Sequence, residues 1–544
     1  MKMLEDPDSL MQYPEIKSIM DSIDSGATGE DEWETPAETT AEPVPAPISA
    51  PAAPTTTPAP ASPLPSPSKK EGGVSNEGDE DNDVDEEVSS SEVLAEGDPR
   101  EHLNLVFIGH VDAGKSTLSG SILYLMGKVD ARTIERFERE AKQRNRESWF
   151  LAFIMDTSEE ERAKGKTVEV GRAHFETEVN RYTILDAPGH KNYVPNMIAG
   201  AAQADVGVLV ISARKGEFET GFEKGGQTRE HALLARTLGV AHLVVVINKM
   251  DDPTVNWAQE RYEECVSKLK PYLKQVGYTI KKDVKFIPIS GLSGDNVKDE
   301  VSSDKCAWWR PMYTSGGHNT STPTLISTLN ALTVEGRIPD GPLRIPCLDR
   351  YFERGTVVLG KVECGTVRIG DDIVIMPTRK KAKVDEVWIG ESKVRAAKPG
   401  ENVLVKLNVG VEDVQKGYVI CTAPRLCPAV LEIKVQLALV DMLEHRPVFT
   451  PGYDAVMHIH TVEIEVTCVK LLSVLVGGKA LARPYARNGQ VCVARLAMPL
   501  HTCMEVFDRM PSMGRVTLRD EGRTIAIGKI LELYKDRPAA AVAK

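Results

Sequence analysis

The stretch GHVDAGKST, residues 109–117, contains the residue types that hold phosphate groups. It fits the pattern G-x-x-x-x-G-K-[ST], in which glycines let backbone N–H groups approach phosphate oxygens. Lys115 would bring a cation to the β- and γ-phosphates, and Ser116 would offer a hydroxyl to Mg²⁺. An ordinary glycine-rich turn is the alternative. We predict nucleotide contacts from Gly109, His110, Val111, Asp112, Ala113, Gly114, Lys115, Ser116 and Thr117.

The stretch DAPGH, residues 186–190, follows a short apolar run and contains a second set of residues suited to a phosphate site. Asp186 could hold Mg²⁺, and the backbone N–H of Gly189 could detect a γ-phosphate. A neutral His190 imidazole could orient an attacking water, whereas an imidazolium could stabilise the developing charge. We predict that His190 is catalytic, against the alternative of a structural histidine. Thr167 is the predicted switch threonine, which would join Ser116 and Asp186 at Mg²⁺ when the γ-phosphate is present; a surface threonine is the alternative.

The stretch NKMD, residues 248–251, indicates which base is bound. Asn248 could bond the purine N7 edge, and Asp251 could accept from both N1–H and N2–H₂ of guanine, donors that adenine does not offer there. Lys249 could lay its apolar stem along the ring. Backbone N–H groups of Ser290, Gly291 and Leu292 would then reach guanine O6. The motifs predict GTP and GDP rather than ATP, with a capping turn as the alternative.

Short β-branched runs alternate with helical stretches from about residue 102 onwards. The runs 103–109, 182–186, 206–212, 242–249 and 285–290 are typical of buried parallel strands, and the helices between them predict a wound α/β domain. Residues 132–178 read as a charged helix followed by an alternating strand. Beyond residue 340, short strands with glycine turns predict two β-barrels. His458 and His460 share one face of a predicted strand and could ligate a metal, but no third ligand is evident.

The chain has 544 residues, too many for one ordinary core, and its charge is divided unevenly. Residues 1–98 hold 24 acidic and 4 basic side chains, and the rest holds 55 acidic and 62 basic ones. The slight basic excess of residues 99–544 suits an RNA-rich partner, although an ordinary solvated surface could have the same charge balance. The nine cysteines have no C-x-x-C spacing, and no signal pattern or long apolar run is present. We expect a cytoplasmic protein with no membrane partner.

The first hundred residues are predicted to be disordered. Residues 43–70 are rich in Pro, Ala, Thr and Ser, and residues 77–98 form a self-repelling acidic block. Residues 9–23 place apolar side chains at near-helical spacing and could bind a groove on a partner, although transient helicity without a partner fits equally. The predicted domains are an extension (1–100), a GTP-binding domain (101–335), barrels at 336–425 and 426–537, and a tail (538–544).

These motifs together resemble the translational GTPases, which have an α/β P-loop GTPase domain followed by two β-barrel domains. Four stretches of the chain are similar in sequence to the GTP-binding subunits of eukaryotic peptide chain release factors. They are GKTVEVGRAHFETE, DAPGHKNYVPNMI, NKMDDPTVNW and GRVTLRDEGRTIAIGKI. The resemblance covers residues 100–535. It implies a GTPase of translation termination that binds a class-one release factor, and whose histidine is moved into place by the large-subunit rRNA of the ribosome.

The resemblance also implies a partner surface, mainly on the last barrel. The residues expected in or near that contact are Gly514, Arg515, Thr517, Arg519, Asp520 and Thr524. A purely structural role in a barrel hairpin is the alternative. In the family, acidic stretches often cover the partner face, so residues 77–98 could be autoinhibitory or only a solubilising linker. The extension is a further candidate for binding mRNA-tail-associated proteins, although it has no evident poly(A)-binding-protein motif.

Some positions depart from the family pattern. In the family, two apolar side chains form a gate around the histidine. Val111 matches one of these two positions, but Lys166 occupies the other. Asp112 matches an acidic position associated with a monovalent cation near the phosphates. The sequences of residues 306–336 and 471–490 diverge from those expected in the family.

Other functions remain open from the sequence. A ribosome-rescue GTPase with a release-factor-like partner is the nearest alternative. A nucleotide-gated binding module would use GTP only to shape a partner surface, and a GTPase of small-molecule metabolism would not bind ribosomes at all.

Overall fold

The computed structural model describes Asp98 and residues 100–534, with gaps at 145–146, 156–166, 168–169, 191–192, 223–225, 311–322, 335, 391 and 477–478. The predicted extension before residue 98, Lys166 and the tail 538–544 lie outside the described residues, as do residues 311–322 and 335 of the divergent segment 306–336. In the described part of the chain, no helix is long and apolar enough to cross a membrane.

The first domain is built on one six-stranded sheet with the order β2-β3-β1-β4-β5-β6. Its strands are β1 (Glu101–Ile108), β2 (Gly171–Glu176), β3 (Asn180–Asp186), β4 (Val206–Ser212), β5 (His242–Asn248) and β6 (Val284–Pro288). All neighbours are parallel except β2 and β3. Every residue of β4 is buried, as expected for an apolar run covered on both faces. Parallel pairing brings the carboxyl ends of β1, β3, β4 and β5 to one edge.

Helices connect these strands and cover the sheet. They are α1 (Lys115–Leu125), α2 (Ala131–Gln143), α3 (Val194–Ala201), α4 (Glu217–Phe222), α5 (Gln227–Leu238), α6 (Gln259–Gln275), α7 (Ile280–Asp283) and α8 (Leu325–Asn330), with 3-10 turns at Glu147–Trp149 and Ala152–Ile154. The charged helix α2 buries only Ile134, Phe137 and Ala141, which lie on one face at spacings of three and four. The domain therefore has the predicted wound α/β architecture.

The second domain is a closed barrel. Its strands are β7 (Ile345–Phe352), β8 (Thr356–Lys361), β9 (Val367–Arg368), β10 (Asp372–Met376), β11 (Lys380–Ile389), β12 (Ser392–Val394), β13 (Ala396–Ala397), β14 (Asn402–Leu407) and β15 (Val419–Cys421). The order β10-β15-β7-β8-β14-β11 closes on itself through the pairing of β10 with β11. Closure leaves these six strands without a free edge.

The third domain is a second closed barrel with longer strands. They are β16 (Ala429–Leu439), β17 (Val448–Phe449), β18 (Asp454–Ile459), β19 (Val462–Val476), β20 (Lys479–Leu481), β21 (Ala486–Arg487), β22 (Val491–Cys503), β23 (Arg515–Asp520) and β24 (Arg523–Tyr534). The order β18-β23-β24-β16-β22-β19 closes through β18 and β19. The predicted arrangement of a GTPase-like domain followed by two barrels is confirmed.

Buried polar contacts join the three domains. Asp205 of the first domain lies 2.9 Å from Lys361 of the first barrel and 2.9 Å from Arg337 of the connection. Arg344 and Glu505 form a buried ion pair at 2.8 Å between the two barrels. The domains are thus held by charged pairs as well as by apolar packing.

Candidate nucleotide-binding site

A cavity of about 590 Å³ lies at the carboxyl edge of the first-domain sheet. Its walls include Val111, Asp112, Gly114, Lys115, Ser116, Thr117, Ser148, Trp149, Ala152, Thr167, Gly189, His190, Arg214, Glu217, Asn248, Lys249, Asp251, Asp252, Pro253 and Leu292. The motifs identified in the sequence, which are far apart along the chain, therefore meet in one space. Its volume suits a ligand of nucleotide size.

The loop between β1 and α1 forms one end of the cavity. Gly114 has φ +95°, and a Cβ there would collide with the Asn248 amide, so only glycine fits. Lys115 is buried, and its Nζ donates to the His110 carbonyl at 3.0 Å. Burial lowers the pKa of Lys115, while the charges of Asp186 and Asp112 oppose that shift. A desolvated cation held at this loop is suited to phosphate oxygens.

The Gly109 N–H is held by a histidine that sequence reasoning missed. It donates to Nδ1 of His231, in α5, at 3.1 Å. This N–H is therefore already bonded within the protein, and we expect phosphate contacts from the later residues of the loop instead. His231 is completely buried, and burial lowers its pKa to about 3, so the ring stays neutral and can accept this hydrogen bond. Only its position seven residues after the run ISARKGEFETGFEK could have indicated it in the sequence.

Gly189 lies against the phosphate loop. A Cβ at this position would collide with Lys115 Nζ and would lie 3.1 Å from the Gly109 carbonyl and 3.2 Å from the Val111 nitrogen. This close approach requires glycine, and it puts the Gly189 backbone where it can respond to a phosphate group. The neighbouring His190 lines the cavity, with its ring centroid 5.9 Å from that of Tyr193.

Three oxygen-bearing side chains fit the requirements of Mg²⁺. The hydroxyls of Ser116 and Thr167 lie 3.1 Å apart, and Asp186 is completely buried at the end of β3. Hydroxyl and carboxylate oxygens are the ligands that this hard cation prefers. The structure therefore brings Thr167 to Ser116, across 51 residues of sequence.

The base-recognition motif forms the other end of the cavity. Asn248 Nδ2 donates to the Ala113 carbonyl at 2.9 Å, and its Oδ1 accepts from Gly291 N–H at 2.8 Å. Asn248 thus ties together the phosphate loop and the loop that contains Ser290 and Gly291, and one Nδ2 hydrogen remains for a base. Asp251 is exposed on the cavity wall, as its predicted role requires.

Several wall residues were missed because they belong to no short motif. Ser148, Trp149 and Ala152 come from the two 3-10 turns after α2. Glu217 accepts from Lys249 Nζ at 2.8 Å and fixes that side chain at the rim. Arg214 pairs with Asp252 at 2.7 Å beside it. No spacing rule could have identified these residues.

The hairpin of β23 and β24 places the predicted partner residues mostly inside the protein. Thr517, Arg519 and Thr524 are 1–6% exposed, so direct contact with a partner is not available to them in this structure. Asp520 accepts from Arg446 at 3.0 Å and from Tyr453 at 2.7 Å.

The other two predicted partner residues also pack against this domain. Gly514 packs so closely on Phe507 that a Cβ would overlap its backbone, and the Arg515 guanidinium lies 5.0 Å from the Phe507 ring centroid. At the turn of the hairpin, Glu521, Gly522 and Arg523 are exposed.

The two same-face histidines have structural roles. His460 bonds the Cys503 carbonyl at 2.9 Å, and burial lowers the pKa of both His458 and His460 to about 4. Within the described residues, no group of three or more His, Cys, Asp or Glu side chains could hold a metal ion.

Comparisons with family models match each domain. Residues 100–350 match the elongation factor Tu GTP binding domain, residues 355–421 match elongation factor Tu domain 2, and residues 434–531 match the GTP-eEF1A C-terminal domain-like family.

Curated relatives match most of the chain. The eukaryotic peptide chain release factor GTP-binding subunit of Schizosaccharomyces pombe is 46% identical over 83% of this chain and 66% of its own length. The protein of the same name from Zygosaccharomyces rouxii is 44% identical over 83% of this chain and 67% of its own length. The chain spans 61–67% of the length of such relatives. The Ski7 GTPase-like domain of S. cerevisiae, bound to GTP, shares the fold with a TM-score of 0.65 at 19% identity, over 81% of this chain and 99% of that domain.

Proposed function

The chain belongs to the family of eukaryotic peptide chain release factor GTP-binding subunits, and we propose that it is a ribosome-dependent GTPase of translation termination. The observation that carries this proposal is the cavity in which the loop 109–117, Asp251 and His190 come together. The predicted substrate is GTP, with GDP and phosphate as products, and the proposed place of action is the cytoplasm.

Guanine selectivity is assigned to Asp251. Its exposed carboxylate accepts from N1–H and N2–H₂ of guanine, and adenine would leave it without a donor. Asn248, already fixed by Ala113 and Gly291, contributes to the N7 edge. The backbone of residues 290–292 completes the contacts to the base.

Phosphate binding and the cation site are assigned to the opposite end of the cavity. Lys115 and the backbone of residues 110–117 bind the phosphates, and Ser116, Thr167 and Asp186 would hold Mg²⁺. When bound, that ion neutralises charge on the β- and γ-phosphates. Asp112, exposed at φ +60°, is proposed to face a monovalent cation.

Hydrolysis is assigned to His190. The γ-phosphate contacts Lys115 and the Gly189 N–H, and the His190 imidazole orients a water for attack in line with the leaving oxygen. The ring lies on the cavity wall beside Tyr193. The large-subunit rRNA of the ribosome is proposed to complete its positioning, which would keep the free protein slow.

The partner is proposed to be a class-one release factor, in keeping with the name of the curated relatives. The exposed turn Glu521–Arg523 is the contact that we assign to the last barrel, in place of its buried neighbours. Hydrolysis of GTP would then couple stop-codon recognition by that partner to peptide release. The N-terminal extension is proposed to bind mRNA-tail-associated proteins.

The test is GTP hydrolysis measured with no addition, with ribosomes, with a class-one release factor, and with both. We expect strong stimulation only with both. Comparable rates in all four reactions would overturn the proposal. Stimulation by ribosomes together with a release-factor-like protein that reads no stop codon, but not with a class-one release factor, would favour the ribosome-rescue alternative.

A further inference from the structure

A second cavity, of about 1120 Å³, lies where the first domain and both barrels meet. We call it the three-domain cavity. Its walls come from the start of β5 and from α7 in the first domain, from the connection 331–344, from β8 and the following turn, and from the segments 425–428 and 505–515. It is separate from the nucleotide-binding cavity, with which it shares no wall residue.

The walls of the three-domain cavity are strongly basic. Nine arginines and lysines line it, against four carboxylates. Outside residues 1–98 the chain holds 62 basic and 55 acidic side chains, so nine cations against four carboxylates is a much larger basic excess than that part of the chain has on average. A concave surface with one sign of charge concentrates its potential and attracts the opposite ion.

The carboxylates are already engaged within the protein. Asp205 is shared between Lys361 and Arg337, both at 2.9 Å, and Glu505 pairs with Arg344 at 2.8 Å. These pairs hold the inner wall together. Asp283 accepts from the Thr279 N–H, and burial raises the pKa of Glu363, which favours its neutral form.

The six other cations of the walls come from all three domains. They are Arg236, Lys282, Lys285, Arg425, Arg509 and Arg515. Four of the six are arginines, whose planar guanidinium groups match phosphate oxygens in bidentate geometry. A polyvalent anion in this cavity could interact with several of them at once.

The size of the cavity limits the ligand. Sites for small molecules usually measure about 300–1,000 Å³, so a single phosphate ion would leave most of this space and most of the cations unused. Leu332, Ile338 and Met510 add apolar surface to the walls, which suits an organic core. We propose that the three-domain cavity binds an organic molecule with several phosphate groups, which bridges the first domain and both barrels.

The test is calorimetric titration of the full chain with inositol hexakisphosphate as the probe, in saturating GDP and Mg²⁺ so that the nucleotide site is filled. We expect micromolar binding. The variant Lys285→Ser with Arg509→Ser removes one cation from the first domain and one from the last barrel, and both side chains are exposed, so the fold should persist. Its affinity for the probe should fall about tenfold or more.

The matched control is Lys274→Ser with Lys281→Ser, which removes the same charge from exposed positions outside the cavity. Its affinity should stay within about twofold of the original protein, because general charge attraction is screened by salt. No binding by the original protein, or equal weakening in the two variants, would overturn the proposal. So would displacement of a fluorescent GDP by the probe, or binding of inorganic phosphate as tight as that of the probe.

Discussion

Asp251 is the residue to which we assign the choice of nucleotide. Replacing it with Asn exchanges one acceptor oxygen for a donor, so the variant cannot accept both guanine hydrogens. We expect Asp251→Asn to weaken GTP binding by about 1–3 kcal/mol, measured by fluorescent-nucleotide titration. Xanthosine triphosphate offers a carbonyl in place of the guanine amino group, and its affinity should rise in the same variant. GTP affinity equal to that of the original protein would contradict guanine recognition by Asp251.

His190 is the residue to which we assign the rate of GTP hydrolysis. We expect His190→Ala to leave GTP affinity within about twofold, because the phosphates are held by Lys115 and backbone N–H groups. The ribosome-stimulated hydrolysis rate should fall about 10²–10⁴-fold, the usual contribution of a positioned acid or base. Single-turnover hydrolysis with ribosomes and a class-one release factor measures this.

The control for that experiment is His501→Ala, which removes an exposed histidine from the last barrel. Its stimulated rate should match that of the original protein. Full hydrolysis and full termination by His190→Ala would instead support the nucleotide-gated binding module.

The residues that the sequence identified in the site are those whose chemistry depends on short spacing. Lys115, Gly189 and Asp251 each belong to a motif of a few residues, and each lies in or against the cavity. Trp149 and His231 reach the site through the packing of whole elements. Their side chains have no distinctive neighbours along the chain, so only the folded structure reveals them.

Helix α5 is the element that joins the phosphate loop to the last barrel. His231 accepts from the Gly109 N–H, and the preceding Glu230 lies 3.7 Å from Arg519 and 3.5 Å from Thr524. Successive helical residues point about 100° apart, so adjacent positions can face different neighbours. The sequence predicted helical stretches between the strands but could not indicate either contact, because both depend on how α5 is rotated against its surroundings.

The neutral ring of His231 makes the stability of the first domain depend on pH. Its pKa is lowered to about 3 in the folded protein, from 6.5, because it is buried. The unfolded chain therefore takes up a proton at a higher pH than the folded one, so this stabilisation is complete above pH 6.5 and is lost as the pH falls towards 3. Between about pH 7.5 and pH 5, His231 should account for a loss of about 2 kcal/mol.

The variant His231→Gln tests this, because the Gln amide oxygen can still accept from Gly109 N–H but does not titrate. Urea unfolding of the first domain, measured at both pH values, should show a smaller loss on acidification in the variant. The other buried histidines, His102, His458 and His460, contribute equally to both proteins and cancel in the difference. Identical losses in the two proteins would show that His231 takes up its proton at the same pH in the folded and the unfolded chain.

The arrangement of the whole molecule depends on contacts between residues far apart in the sequence. Asp205 accepts from Asn104 of β1 at 2.8 Å and pairs with Lys361, which is 156 residues away. In the sequence, Asp205 reads as an ordinary polar residue before β4. Strand patterns predict three domains, but they do not give the pairs that join them, because those pairs are set by how the finished surfaces meet.

Asp205 is therefore the residue whose loss should disturb the whole molecule. Burial would raise its pKa, but Lys361 and Arg337 outweigh that effect and lower it, so the carboxylate is ionised. Asp205→Asn leaves Lys361, only 8% exposed, without its counter-charge. Breaking such a buried pair from one side costs about 3–5 kcal/mol.

We expect a lower Tm for Asp205→Asn and a larger radius of gyration in small-angle X-ray scattering, as the first domain separates from the first barrel. GTP affinity should change little, because the nucleotide-binding cavity is formed by the first domain alone. The matched variant Asp304→Asn makes the same exchange at an exposed position and should behave like the original protein. An unchanged Tm and radius in Asp205→Asn would mean that apolar packing, rather than this charged centre, fixes the position of the barrels.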